Sequence, residues 1–177
     1  MGAGELAYKK FQNGDDSSLE IIVRLYRADI TAYAMSIVRN RFAAEDVAAE
    51  VFCYVVLHRK KYNFSVPLKY YLLMICRSRA YDYCRKEKKY VGLDDSILLK
   101  TSGDDVSEKL LGKERKSALY RAIGGLPADM RSAVYLVYFE EMSYDDAAKI
   151  MKVSRKKVDN LLYLAKQKLR TILKDCI

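Results

Sequence analysis

The chain holds a single histidine, His58, and that scarcity removes most nucleophilic and metal chemistry at the outset. One imidazole leaves no Cys/His pair or Ser/His/Asp set at a recognisable spacing, and no glycine-rich phosphate loop is present. The four cysteines, Cys53, Cys76, Cys84 and Cys176, lie too far apart for a zinc module. They are expected as buried thiols rather than bridges. No metal, no other cofactor and no enzymatic turnover is therefore expected. Only 2 prolines and 8 glycines interrupt 177 residues, and helix formers dominate, which predicts an all-helical protein. Long uncharged apolar runs are also missing, and the first residues, with Glu5 and Lys9, lack a signal-peptide core. Neither membrane insertion nor export is indicated, so the expected place of action is the cytoplasm.

What the chain does have is an apolar content of 51%, ample for packed cores, and a net charge of +9. That charge is concentrated. Residues 67–89 carry seven Lys/Arg against two acids, residues 152–177 carry eight against two, and the rest is close to neutral. Clustered charge of one sign repels itself, and its commonest use is to meet a polyanion. Two such patches on one small chain suggest two contacts along a single nucleic acid. Solvated helix faces are the plainer account, since basic helix ends are common.

Hydrophobic periodicity organises the chain into two halves. A first helix is predicted to open at Ser17, where Ser17 and Glu20 have capping-box spacing, and to carry the stripe Ile22, Tyr26, Ile30, Tyr33 and Ile37. A second runs from about Ala43 to His58, with Ala44, Val47, Ala48, Val51, Phe52 and Val55 on one side and Glu45, Asp46 and Glu50 elsewhere. Pro67 suits the first turn of a third helix reaching about Lys89. Residues 1–90 thus form one helical domain. Residues 91–107, with Asp94, Asp95, Asp104 and Asp105, form an acidic linker. Residues 108–177 form a second helical domain: a helix to about Ile123, another opened by Leu126 and Pro127, a short one capped by Ser143, and a long last one capped by Ser154. A short helix, a turn and a longer basic helix make the outline of a helix-turn-helix.

The third helix returns to nearly the same face every seven residues, so Tyr70, Arg77, Tyr81, Arg85 and Lys88 share one strip. Cations and aromatic rings together suit unpaired nucleic acid, phosphates meeting the charges and unstacked bases the rings. Inward-packed tyrosines with merely solubilising cations are the alternative. On the last helix, Val158, Leu162, Ala165, Leu169 and Ile172 face inward, and Lys156, Asn160, Tyr163, Gln167, Arg170 and Lys174 face outward. Helix-turn-helix docking makes Arg155, Lys156, Asp159 and Asn160 candidate base readers. Lys166 and Arg170 are candidate phosphate contacts, with Lys157 at the flank. Asp46 and Glu50 do not suit DNA; they are either ordinary solvated charge or a face for a basic protein partner.

These residues resemble a family. Ala44-Glu45-Asp46-Val47, Glu50-Val51-Phe52, Leu68, Tyr71-Leu72, Ile75, Arg77 and the basic tail from Asp82 to Lys89 resemble the promoter-melting domain of bacterial ECF (extracytoplasmic-function) sigma factors. Leu126-Pro127, Arg131, Val134, Tyr138, Met142-Ser143-Tyr144, Ala147-Ala148, Ile150, Val153-Ser154, Val158, Ala165 and Leu169 resemble their second domain, in order and spacing. The resemblance implies a dissociable subunit that binds core RNA polymerase, recognises the minus-35 and minus-10 promoter elements and helps open the duplex, with an anti-sigma protein as a regulatory partner. It implies that Glu45, Asp46 and Glu50 dock on the polymerase. It also implies that the Tyr62–Leu68 connection captures a flipped base, and that Tyr71, Arg77, Ser78, Tyr81 and Arg85 bind the melted strand. Some positions depart from the family pattern. Lys152 stands where a turn glycine is usual, Leu161 and Leu164 stand where Arg is common, Tyr71 replaces Trp and Ser78 replaces Asn. The reading that competes is a stand-alone helix-turn-helix regulator.

Overall fold

The computed structural model describes residues 1–91 and 112–174, with side chains at 1–90 and 117–174. The acidic linker, the expected helix start at Glu108 and Cys176 lie outside the described residues. Two compact units result, Met1–Glu87 and Lys88–Ile177, and no strand occurs among the described residues.

The first unit is built from α1 (Ala3–Gln12), α2 (Ser18–Val38), α3 (Arg41–Leu57) and α4 (Leu68–Val91). α1 is a correction, since the sequence places the first helix at Ser17. Its buried face is only Gly4, Ala7, Tyr8 and Phe11, too short a stripe for periodicity to announce. Gly4 is there because α1 touches α2: a Cβ would lie 2.0 Å from the Tyr26 hydroxyl. The Ser17–Glu20 capping box is a second correction. Ser17 makes no side-chain cap; Asp15 takes the role, accepting from Ser17 N at 3.1 Å and Ser18 Oγ at 2.7 Å. An aspartate carboxylate presents two acceptors at a helix start that is favourable for negative charge, so it displaces the serine.

α3 begins where Asn40 accepts from Ala43 N at 3.0 Å, two residues before the expected start. It buries Ala43, Ala44, Val47, Ala48, Val51, Phe52 and Val55 against α2, the predicted stripe. Pro67 immediately precedes α4, whose Leu68, Leu72, Leu73, Ile75, Cys76 and Ala80 are buried. Each such large aliphatic side chain contributes about 1.5–3 kcal/mol of burial, so Leu72→Ala would cost about 2–5 kcal/mol. Cys76 donates to Ile30 O at 3.5 Å, and burial pushes its thiol up to about 12. Cys84 is half-buried; Cys53, expected inside, is exposed, because it falls on the face of α3 opposite the stripe.

The second unit comprises α5 (Gly112–Gly124), α6 (Ala128–Val134, continued as a π-turn over Tyr135–Phe139), α7 (Tyr144–Met151) and α8 (Arg155–Lys174). α8 packs on α5, α6 and α7. Its Val158, Leu161, Leu162 and Ala165 are buried, with Leu169 and Ile172 half-buried. Leu161 is thereby core. The π-turn, marked by Glu140 N donating to Tyr135 O at 3.1 Å, leaves no signature in sequence and turns Tyr138 and Phe139 outward.

Candidate nucleic-acid interface

α4 places its strip as the seven-residue repeat requires. Tyr70, Arg77 and Tyr81 are half-buried and Ser78, Arg85 and Lys88 exposed, all on the one helix. The Arg77 guanidinium lies 4.3 Å from the centre of the Tyr81 ring, a cation–π pair that holds charge and aromatic face side by side. Arg85 pairs with Asp82 one turn back. Tyr71 belongs elsewhere: its ring is 5.0 Å from Tyr62, and burial raises its hydroxyl above the ordinary tyrosine value.

Tyr62 is the centre of an aromatic cluster under the connection between α3 and α4. Tyr8 lies 4.9 Å from it and Phe64 4.6 Å, ring centre to ring centre. Between this connection and the start of α1 opens a shallow cavity of about 470 Å³, walled by Gly2, Glu5, Tyr62, Phe64 and Pro67 among others. Its walls combine rings, a carboxylate and backbone polar groups.

The same unit holds a cationic cluster that the heptad reading passed over. Arg79 lies 5.3 Å from the Tyr54 ring centre, Lys61 donates to the Tyr54 hydroxyl at 2.6 Å, and the His58 ring lies 4.4 Å from that ring, its plane tilted by 50°. The signal was available: Arg79 is two residues beyond Arg77, hence on another face, and Lys61 ends a run of basic residues. Asp46 and Glu50 are both exposed on α3, while Glu45 accepts from Arg41 at 3.3 Å. The Tyr83 hydroxyl of α4 is raised chiefly by burial and further by the charges of Glu87, Cys84 and Asp46.

In the second unit the helix-turn-helix is closed by its caps. Ser143 Oγ accepts from Asp146 N at 3.1 Å, and Ser154 Oγ accepts from Lys157 N at 3.2 Å. Between them Lys152 takes the left-handed conformation, φ 54° and ψ 45°. The turn that usually employs glycine keeps its geometry with lysine. Arg155, Lys156, Lys157, Asp159, Asn160, Tyr163, Lys166 and Arg170 are all exposed along α8. Arg155 reaches back to Asp145 at 3.8 Å, and Gln167 donates to the Tyr163 hydroxyl at 3.0 Å. Lys166 sits 5.6 Å over the Tyr138 ring. Hydrogen bonding to that hydroxyl raises its ammonium above the ordinary lysine value.

Among the described residues, no three His, Cys, Asp or Glu side chains gather so as to hold a metal ion. No described helix is long and apolar enough to cross a membrane.

Two all-helical units, one bearing a cation–aromatic helix and the other a helix-turn-helix, define a class of DNA-binding protein, and comparison with known proteins makes it specific. Residues 22–90 match Sigma-70 region 2, and residues 116–169 match Sigma-70, region 4, together more than half of the chain. The ECF RNA polymerase sigma factor SigM of Bacillus subtilis (strain 168) is 28% identical over 155 residues, covering 88% of this chain and 94% of that one. The RNA polymerase sigma-H factor of Pseudomonas aeruginosa is 25% identical over 173 residues, covering 90% and 88%. Two solved structures share the fold. The sigma factor RpoE, in complex with the anti-sigma factor NepR from Bartonella quintana, has a TM-score of 0.70 at 24% identity, covering 88% of this chain and 96% of that one. CnrH in complex with the cytosolic domain of CnrY has a TM-score of 0.68 at 18% identity, covering 98% and 99%. The chain belongs to the ECF sigma factor family and is a transcription initiation factor.

Proposed function

We propose that this sigma factor binds core RNA polymerase, reads the minus-35 element as duplex through α8, and holds the melted minus-10 strand through α4 and the Tyr62–Leu68 connection. The observation that carries the reading is the presence, in one chain and in the order of regions 2 and 4, of two cationic surfaces of different chemistry. α4 interleaves Arg77 and Arg85 with Tyr70 and Tyr81, the composition a single strand needs, because each unstacked base gains about 1–3 kcal/mol on an aromatic face. α8 offers Arg155, Lys156, Asp159 and Asn160 at its start, where helix-turn-helix proteins address base edges. Lys157, Tyr163, Lys166 and Arg170 lie further along for the backbone, and Tyr71, Ser78 and Lys88 complete the melted-strand set.

In this reading residues 1–90 form the polymerase and minus-10 domain, residues 91–107 the linker, and residues 108–177 the minus-35 domain. Exposed Glu45, Asp46 and Glu50 supply the polymerase-docking face, at which charge complementarity sets orientation and rate. An anti-sigma protein is a proposed further partner; the solved relative RpoE is seen with one. The chain turns over no substrate of its own and acts in the cytoplasm, where its polymerase is.

Transcription with purified core polymerase over a genomic library tests the whole. Arg77→Ala with Arg85→Ala should reduce open-complex formation more than duplex binding; equal losses would remove the single-strand assignment. Asp46→Lys with Glu50→Lys should lower polymerase affinity, and an unchanged affinity would take both residues off the docking face.

A further inference from the structure

The connection between α3 and α4 takes its shape from α1, the helix of the first unit farthest from it in sequence. At its near end the Gln12 side chain donates from Nε2 to Tyr62 O at 2.7 Å. Arg59, just before, is held over the Phe11 ring of α1, its guanidinium 4.5 Å from the ring centre, and pairs at 2.9 Å with Asp16 in the turn between α1 and α2. At the far end Leu68 N, the first peptide group of α4, donates to Glu5 Oε1 at 2.9 Å. Between these ties Tyr62 donates from its hydroxyl to Val66 O at 2.7 Å, and Tyr8 packs edge-on against both Tyr62 and Phe64.

Phe64 has a φ of 61°, a conformation that a bulky residue adopts only when its surroundings over-determine it. α1 supplies that determination from below and from both ends. The Glu5 carboxylate serves two helix starts at once. Its acid is held below the ordinary value first by the Leu68 N–H, against an opposing contribution from burial, and then by the N–H groups of Glu5 and Gly2. A negative charge at helix N-termini suits both dipoles.

We propose that α1 is a strut for the strand-capture connection, with Glu5 and Gln12 as positioning residues that act through Leu68 and Tyr62. They fix the backbone in the form that receives an unstacked base. α1 thereby governs how strongly the melted strand is selected. The proposal rests on the strand-binding reading above, and one experiment separates the two.

The full chain, bound to core polymerase, is titrated with fluorescent single strands of a recognised promoter in which each base in turn is made abasic. The position of largest loss marks the captured base, and in the unaltered protein that loss is expected to be roughly tenfold or more. In Glu5→Ala and in Gln12→Ala the same abasic change should cost less than about threefold, with affinity for duplex minus-35 DNA retained. Glu5→Gln, which keeps an acceptor for Leu68 N, should recover most of the discrimination. A merely structural role would lower thermal stability and leave the abasic penalty alone. An unchanged penalty in Gln12→Ala, or in Glu5→Ala if that variant folds, overturns the strut. An unaltered protein with no penalty at any position overturns the strand-binding reading, and the strut with it.

Discussion

Tyr8 is fully buried, yet its hydroxyl has no hydrogen-bond partner among the described residues. A buried unsatisfied hydroxyl costs about 1–3 kcal/mol relative to a satisfied or absent one, while the ring itself contributes packing against Phe11, Tyr62 and Phe64. Tyr8→Phe keeps the ring and removes the hydroxyl, so it should raise the stability of the first unit by about 1 kcal/mol, measured by denaturant unfolding. The effect also has a pH dependence of fixed sign. Burial, aided by nearby Tyr71 and Tyr62, raises the Tyr8 phenol well above its ordinary value of 10.0. Tyr62, also through burial, rises to about 12. Groups with raised folded-state pKa values contribute stability that is fully present below the unfolded value and lost as pH climbs toward the folded one. The unaltered protein should therefore weaken progressively above pH 10.0, and Tyr8→Phe should weaken less. A variant whose advantage shrinks in alkali would contradict the burial account.

The elements show where local chemistry suffices and where it does not. α3 and α8 were legible because their apolar residues recur at helical spacing over many turns, and Ser143 and Ser154 cap α7 and α8 as their spacing requires. α1 was not, because ten residues with a four-residue buried face carry little periodic signal. It is held by packing on α2 together with long-range ties to Tyr62 and Leu68. The capping of α2 failed for a related reason: several polar side chains precede the helix, and spacing alone does not rank them. The π-turn after α6 reflects tertiary demand that no residue pattern announces. At the α7–α8 turn, Lys152 tolerates a left-handed backbone that costs a residue with a Cβ about 1–2 kcal/mol. Lys152→Gly should accordingly stabilise the turn by about 1 kcal/mol, and Ser143→Ala should weaken α7 by about the same amount. Hydrogen exchange at the α7 amides is the measurement, because a chain of two units need not unfold in one step. About 1 kcal/mol corresponds to roughly fivefold in protection. Slower exchange in Lys152→Gly and faster exchange in Ser143→Ala is the expected pair; no change in either would mean the turn is not limiting.

For the whole molecule, charge distribution was the most informative property of the sequence, since it located both α4 and α8 before any fold was known. What it did not give was the division of labour within each patch, which depends on contacts. Arg79 and Lys61 gather on Tyr54 away from the strip, and Lys166 leans on Tyr138. That division has a thermodynamic signature. A cation that neutralises a duplex phosphate releases counterions and adds about 0.9 to the slope of log affinity against log salt, whereas a base reader changes discrimination instead. Lys166→Ala with Arg170→Ala should therefore flatten the salt dependence of minus-35 duplex binding by roughly 2 units of slope and leave promoter preference intact. Arg155→Ala with Lys156→Ala should do the opposite, equalising affinities for matched and mismatched elements while moving the slope less. The Tyr138 contact sharpens the comparison, because Tyr138→Phe keeps the ring beneath the Lys166 ammonium and removes the hydroxyl that raises its pKa, while leaving the charge in place. If the ammonium works as a diffuse charge, Tyr138→Phe keeps the full slope. If it works as a placed donor, the slope falls by a part of the Lys166 share. Titrations of the three variants over a range of salt, on matched and mismatched duplexes, decide between them. Inverted behaviour of the two double variants would exchange the reader and phosphate assignments along α8.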